Sequence, residues 1–281
     1  MNPVVILGAK GTLGGQFKAL YPAAVAWDRE DVDVTNFEEL KQKILALPQN
    51  PAAIINCVAF NDVDGAEEKR EIAFQLNAEF PGKLAELCKQ IDTTLVHFSS
   101  NYVFDGQKGE YIETDVPTPI SEYGRTKLGG EQLIAEKGEK YYIVRTAVLF
   151  GPKGESELSK KSFIDIMLEL AGKQPEIKAV NDEINSLTYA KHLAEAVKYL
   201  LGEQKPFGLY HITNAGFASW YDLAKELFAF TNKTVQLVPV PSTEFPRKAQ
   251  RPKKAVLLNT KIYQLPKWED ALREYLLNIK I

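Results

Sequence analysis

A doubly wound parallel α/β sheet with a smaller C-terminal lobe is the fold class that the sequence predicts. Three observations carry it. Short continuous apolar runs alternate with helix-periodic segments over the first half of the chain, as strands covered on both faces require. A glycine-rich turn closes the first of those runs. After about residue 150 the alternation loosens into a different pattern.

The elements follow in order. Val4–Leu7 is the first strand and Thr12–Leu20 the helix after it. Ala24–Trp27 is strand-like, and Phe37, Leu40, Ile44 and Leu47 share the face of a helix. Ala53–Val58 reads as a strand, Ala66–Ala78 as a helix, and Pro81–Ile91 as a second helix with proline suitably placed in its first turn. Thr94–Phe98, a helix from Tyr123 to about Glu136, and Tyr142–Arg145 complete the first series. Gly151–Ser156 is a loop by composition, followed by helices over Phe163–Ala171 and Thr188–Leu201 and a strand over Leu209–Ile212. Ser219 with Asp222 forms a capping box opening a helix to Phe230, and Trp268, Leu272, Tyr275, Leu276 and Ile279 mark one face of the last helix. The expected division is a nucleotide-binding domain over 1–150 and a substrate-binding lobe over 151–281, interleaved at about 176–202.

Bulk properties narrow the function classes. At 281 residues with a formal net charge of −3, the chain has room for such an arrangement and no electrostatic reason to bind nucleic acid or an anionic membrane. No signal-peptide pattern precedes Val4, and no apolar run reaches the ~20 residues of a membrane span, so the expected location is the cytoplasm. Cys57 and Cys88 fall on predicted core segments without zinc spacing, and no metal site is expected. His97 sits within a predicted buried strand and reads as a core histidine. Glu67, Glu68 and Glu71 read as a solvated helix face. No P-loop is present.

The first strand runs into Gly8-Ala9-Lys10-Gly11-Thr12-Leu13-Gly14. A dinucleotide pyrophosphate needs a tight strand-to-helix turn, close backbone approach and a helix N-terminus aimed at it. Glycines without Cβ atoms supply the first two and the following helix the third. The turn makes the predicted sheet Rossmann-type, with Gly8, Gly11 and Gly14 as the glycines of the cofactor cradle. Asp28, some 20 residues on, suits the adenosine ribose hydroxyls and favours NAD, whereas Arg29 beside it suits the 2′-phosphate of NADP. Both cofactors stay open, and Asp33 and Val34 are a second candidate adenine contact.

Tyr123 and Lys127, four apart at a helix start, share a face, and the strand Thr94–Phe98 leads into Ser99-Ser100-Asn101-Tyr102. In a parallel sheet ligands gather at the carboxyl ends of strands. Carbonyl reduction needs a hydride, a proton donor and a group to orient the carbonyl oxygen. Tyr123 suits the donor, Lys127 would lower its pKa from near ~10, and Ser100 suits the orienting hydroxyl.

Leu95-Val96-His97-Phe98-Ser99-Ser100-Asn101-Tyr102-Val103-Phe104-Asp105-Gly106 and Tyr123-Gly124-Arg125-Thr126-Lys127-Leu128-Gly129-Gly130-Glu131 together have a specific pattern. Ile55–Ala59, Val63–Glu67, Asn77-Ala78, Val144–Thr146, Val180–Glu183 and Arg251-Pro252 extend it across nearly the whole chain. The sequence thereby resembles the dTDP-4-dehydrorhamnose reductases among the extended short-chain dehydrogenases. The resemblance implies NADH- or NADPH-dependent reduction of the 4-keto group of a nucleotide-activated 6-deoxy sugar. It implies Ser100, Tyr123 and Lys127 as the catalytic three, and cofactor contacts at Lys10 to Leu13, Asp33, Val34, Val58, Ala59, Phe60 and Asn77, besides Tyr123 and Lys127.

Departures fall on the substrate side, where Asn101, Tyr102, Val148 and Arg251 are expected. The family's S-T-D reads Ser99-Ser100-Asn101, Val148 stands where a tryptophan is frequent, and R-P-x-N-S-x-L reads Arg251-Pro252-Lys253-Lys254-Ala255-Val256-Leu257. Arg251 is the candidate for the substrate's diphosphate. Gln16 replaces a glutamate linked to a magnesium-bound dimer in some members, so no metal is carried over; a homodimer stays open. Two other functions fit the same scaffold: a sugar-nucleotide epimerase or dehydratase, and a non-catalytic NAD(P)-binding regulatory subunit.

Overall fold

The computed structural model describes residues 2–156 and 161–279. Its centre is a six-stranded, all-parallel sheet. Four strands come from the first hundred residues: β1 (Val4–Leu7), β2 (Val25–Trp27), β3 (Ala53–Asn56) and β4 (Thr94–Ser100). The strands Tyr141–Thr146 and Gly208–His211 extend it, giving the spatial order 208–211, 141–146, β4, β3, β1, β2. The chain leaves β1 toward one edge through β2 and returns on its other side through β3. The carboxyl ends of β1 and β3 are therefore a topological switch point, where such sheets hold ligands.

Helices cover both faces, as the continuous apolar strands require. On one face Ile6, Ile55, Val96 and Val144 pack against α1 (Thr12–Leu20) through Leu13 and Phe17, and against α8 (Ala190–Gly202) through Leu193, Ala194 and Val197. On the other, Val5, Leu7, Ile54, Leu95 and Ile143 meet α2 (Phe37–Leu45), α5 (Phe80–Gln90) and α6 (Glu122–Lys137) through Leu40, Leu84 and Ile134.

The predicted helix Ala66–Ala78 is broken. It divides into α3 (Val63–Glu68), α4 (Arg70–Phe74) and a π-helical turn, Gln75–Glu79, that runs directly into α5. Lys69, at φ −107° and ψ 49°, leaves the helical region between α3 and α4. Wide π turns recur at functional sites, and this one carries Asn77, which is fully buried. Apolar periodicity does not register a one-residue bulge, so the sequence reads as uninterrupted.

Beyond the sheet, α7 (Phe163–Ala171), α9 (Trp220–Phe230) and α10 (Trp268–Asn278) enclose a separate core of Ile164, Met167, Leu223, Leu227, Leu272 and Leu276. Ser219 and Asp222 form the expected capping box on α9, and Ser162 with Asp165 forms another on α7. A four-stranded sheet in this lobe orders Ala218–Ser219, Ile184–Asn185, Lys254–Leu257 and Gly109–Tyr111. These strands are too short for alternation to show in sequence. Gly109–Tyr111, from the first half of the chain, thus completes the lobe's sheet, while Gly208–His211 and α8 complete the large sheet and its helical cover. No helix among the described residues is long and apolar enough to cross a membrane.

α6 lies unusually close to the π turn: a Cβ built on Gly130 would stand 2.1 Å from the carbonyl oxygen of Asn77. Gly130→Ala is therefore expected to lower unfolding stability by about 1–3 kcal/mol or more, because backbone on both sides must part. Urea denaturation measures this; an unchanged midpoint would mean that α6 has slack at this contact.

Candidate active site

The cofactor-binding candidates assemble at the switch point. Gly8 adopts φ +76° and passes so near the next loop that an added Cβ would lie 3.3 Å from Val58 Cγ2. At Gly14 a Cβ would meet the Gly8 carbonyl oxygen at 2.0 Å. The amides of Gly8 and Ala9 both donate to the Trp27 carbonyl at the end of β2, at 2.9 and 3.1 Å. Gly11 caps α1 without a side chain of its own, which leaves the first-turn N–H groups around Thr12 and Leu13 facing outward for an anion. This cradle fits a dinucleotide pyrophosphate.

Asp28 follows β2 and accepts from the amides of Lys10 (2.8 Å) and Arg29 (2.8 Å), so it ties the glycine turn to the second strand. The Lys10 ammonium pairs with Glu30. Asp33 is exposed and accepts from the amide (2.9 Å) and hydroxyl (2.7 Å) of Thr35, which hold its carboxyl below the usual range. Val34 packs on the core beneath α2. Val58, Ala59 and Phe60 are half-buried.

Asn77 does not face outward as a contact residue would. Its side chain clamps Phe60 by accepting from the amide (2.9 Å) and donating to the carbonyl (2.9 Å), and it also donates to Thr126 Oγ1 on α6 (3.0 Å). Its place is to fix the 58–60 loop and α6 relative to one another.

Ser100, Tyr123 and Lys127 meet where β4 ends under the start of α6. Ser121 caps α6 by accepting from the Gly124 amide at 3.1 Å. Ser100 caps the following 3-10 turn, accepting from the Tyr102 amide at 3.2 Å. The Tyr123 ring stands edge-on to Tyr102, with centroids 5.6 Å apart. Burial pushes the Tyr123 phenol up to about 12, against the pull of the neighbouring Ser100 hydroxyl. Lys127 is 2% exposed and donates to the Phe98 carbonyl at 2.6 Å. Burial draws its ammonium down to about 8, with Glu131 acting in the other direction. The hydroxyl that lowers the Tyr123 pKa in this structure is thus that of Ser100, while Lys127 is turned to the strand carbonyl.

The substrate-side candidates are more committed than their sequence suggests. Asn101 is buried; its amide donates to Asn185 Oδ1 (2.8 Å) and the Ala255 carbonyl (3.0 Å), while its Oδ1 accepts from Ser100 (3.3 Å). It pins the end of β4 to the lobe's sheet. Tyr102 is held high by burial, with Arg251 drawing it down. Arg251 is bound in a fork by Asp64 of α3 at 2.8 and 3.1 Å and donates to the Ala249 carbonyl at 3.0 Å. Val148 lies beyond the strand end at φ +33°, a conformation unusual for a β-branched residue and one that costs of order 1–3 kcal/mol. Its carbonyl accepts from the Thr188 amide at 3.1 Å, and its side chain packs on the lobe core.

Residue types alone did not mark the buried polar group behind this site. Glu131, one turn after Lys127, accepts from Arg145 Nε (2.8 Å) and Nη2 (2.6 Å) and from the Ser99 hydroxyl (2.5 Å). The available signal was its i,i+4 spacing from Lys127, on the helix face shared by Tyr123 and Lys127. No group of three or more His, Cys, Asp or Glu side chains among the described residues gathers as a metal would require.

The Lys127 charge has a consequence for stability. Its folded pKa, about 8, lies below the ordinary 10.5, so the unfolded chain holds this proton more tightly. The penalty is fully present below about pH 8 and is relieved as pH rises toward 10.5. Lys127→Met is expected to raise unfolding stability at pH 7 by on the order of 2 kcal/mol. The gain should shrink on raising the pH. A destabilised variant would mean that the bond to Phe98 outweighs the cost of burying the charge.

Over residues 1–281 the chain matches the family described as RmlD substrate binding domain. It is 32% identical over 297 residues to the dTDP-4-dehydrorhamnose reductase of Aggregatibacter actinomycetemcomitans, covering 97% of this chain and 98% of the relative. With that of Mycolicibacterium smegmatis it shares 33% identity over 283 residues, covering 96% and 84%. The solved dTDP-4-dehydrorhamnose reductase of Bacillus anthracis, in complex with NADP, is similar at TM-score 0.91 and 32% identity, with 99% of each chain covered. That of Clostridium acetobutylicum gives 0.92 and 34%, covering 99% and 100%. UDP-glucose 4-epimerase of Thermotoga maritima shares the fold, at TM-score 0.82 and 18% identity, covering 99% and 98%. On these full-length matches, the chain belongs to the dTDP-4-dehydrorhamnose reductase family of NAD(P)-dependent oxidoreductases.

Proposed function

We propose that the chain reduces the 4-keto group of a nucleotide-activated 6-deoxy sugar, with NADH or NADPH as reductant. The observation that carries this reading is the meeting of Ser100, Tyr123 and Lys127 beside a glycine cradle at the sheet's switch point. The relatives' names supply the sugar.

The dihydronicotinamide, when bound, supplies a hydride to the carbonyl carbon. Ser100 orients the carbonyl oxygen through its hydroxyl. Tyr123, protonated throughout the physiological range because burial holds its pKa high, delivers the proton to that oxygen as negative charge develops. Lys127, one turn along α6, is assigned to stabilise the phenolate left behind, a role that requires its ammonium to reach Tyr123 as well as the Phe98 carbonyl it binds in this structure. Asn101 holds Ser100 in place from the lobe side. Arg251, pre-oriented by Asp64 and in contact with the Tyr102 hydroxyl, is assigned to the substrate diphosphate. Asp28 and Arg29 flank the adenosine ribose site, an arrangement compatible with either cofactor.

The direct test follows NADH and NADPH oxidation by absorbance with dTDP-4-keto-6-deoxy-L-mannose. Turnover by the wild type is expected, with Tyr123→Phe slower by about 10²–10⁴-fold and cofactor binding retained. A wild type that binds cofactor yet oxidises none with this sugar would reject the proposal. The same assay gives a pH profile. The Lys127 ammonium exists below its pKa and disappears above it, so kcat should fall as pH rises through about 8. A flat profile to pH 10 would remove Lys127 from the mechanism.

A further inference from the structure

The ion pair beneath α6 is placed oddly for a purely structural device. Glu131 is 5% exposed and Arg145 3%, and burying two charges costs free energy that a pair of apolar side chains would not. Ser99 and Arg145 are direct neighbours in register on β4 and the strand Tyr141–Thr146. Glu131 reaches both of them from the helix. One step along β4 from Ser99 is Ser100, and one turn back along α6 from Glu131 is Lys127. The carboxylate is therefore joined to both elements that carry the candidate catalytic groups.

We infer that Glu131 is a positioning residue for Lys127: shared between Ser99 and Arg145, it locks α6 onto two strand ends and sets a negative charge one turn from the ammonium. The inference rests on the proposed reduction for its catalytic meaning. Lys127, Glu131 and Arg145 together carry one net positive charge in a buried space; on the far side of Arg145, His211 Nε2 lies 3.5 Å from Nη1 and is held neutral by burial, and the Glu113 carboxylate beyond it accepts from the His211 amide at 3.2 Å. Without the Glu131 carboxylate two positive charges would face each other there, and Lys127 would release its proton more readily. Without the guanidinium the carboxylate would act on Lys127 alone.

The other ionisable groups around Lys127 do not supply that charge. His97 on β4 is held neutral by burial, with Lys127 itself opposing its protonation. Its Nδ1 lies 3.1 Å from the Asn56 amide nitrogen. Tyr123 and Tyr102 have raised pKa values and remain neutral phenols. Glu67 and Arg70, from α3 and α4, engage Glu122 at the start of α6: Glu67 accepts its amide at 3.0 Å, and Arg70 lies 4.0 Å from its carboxylate.

The test uses the full chain labelled with [ε-¹³C]lysine, the Lys127 resonance being assigned by its loss in Lys127→Met. Glu131→Gln keeps the side-chain shape and a hydrogen-bond acceptor but removes the charge. Its Lys127 midpoint should fall by about one pH unit, and Arg145→Gln should raise it by a similar amount. The descending limb of kcat against pH should move with the NMR midpoint, and KM should change less than kcat. General loosening of the fold does not produce opposite displacements. Should Glu131→Gln fold too poorly to titrate, Arg145→Gln reads the same coupling with the sign reversed. A midpoint unmoved in either folded variant overturns the inference and leaves Glu131 as scaffold. A wild type inert toward the keto sugar would reject the proposed reaction instead, since the NMR titration needs no turnover.

Discussion

The seating of α6 on the carboxyl ends of two parallel strands is the constraint on which the site depends. Four contacts fix it: Lys127 on the Phe98 carbonyl, Glu131 on Arg145 and Ser99, Thr126 under Asn77, and the close approach of Gly130 to the π turn. Three of these are buried polar bonds that supply direction, which apolar packing lacks. Leu and Ile side chains can slide over one another at little cost, whereas a bidentate carboxylate–guanidinium pair has one good geometry. Losing one member of such a pair typically costs ~3–5 kcal/mol, because a charge is left buried without a partner. The helix is thereby held in one position, and Tyr123 with it.

The same logic governs the other half of the site. The glycine turn is held from beneath by the Trp27 carbonyl and from the side by Asp28, and the 58–60 loop by Asn77. Residues that resemble ligand contacts by type are in part the groups that hold backbone for a ligand. Asn77 and Asn101 both spend their amides inside the protein. Each joins segments far apart in sequence, Asn77 to Thr126 and Asn101 to Asn185 and Ala255. An amide suits this role because it donates and accepts in one plane without the desolvation cost of a charge.

On the lobe side, ion pairs bring the late basic loop back to the body of the protein. Arg251 joins Asp64, Lys248 joins Glu68, and Arg247 joins Glu183. These three basic residues thus have acidic partners drawn from α3 and from the turn after residue 180. The Arg251 pair lowers the Asp64 carboxyl to about 2, so the fork stays charged across the working pH range. Val148, in a left-handed conformation with its carbonyl bonded to Thr188, shows the chain turned sharply where it passes from the large sheet to the lobe.

The amino-acid sequence by itself determined the alternation of strands and helices, the glycine cradle and the placement of Ser100, Tyr123 and Lys127 at a strand end and helix start. These are local matters: apolar runs of a given period, residues without Cβ atoms, and side chains four apart on a helix are legible within a dozen positions. The tertiary structure alone decided where the polar side chains spend their hydrogen bonds. Asp64 with Arg251 is separated by 187 residues and Asn101 with Ala255 by 154, distances over which no periodicity carries information. It also decided that Gly109–Tyr111 completes the lobe while Gly208–His211 completes the large sheet, because short strands take their partners from the edges that folding leaves open. A buried charge such as Glu131 has meaning only once its neighbours are known, since Arg145, which offsets it, and Ser99, which donates to it, come from two strands far from it in sequence.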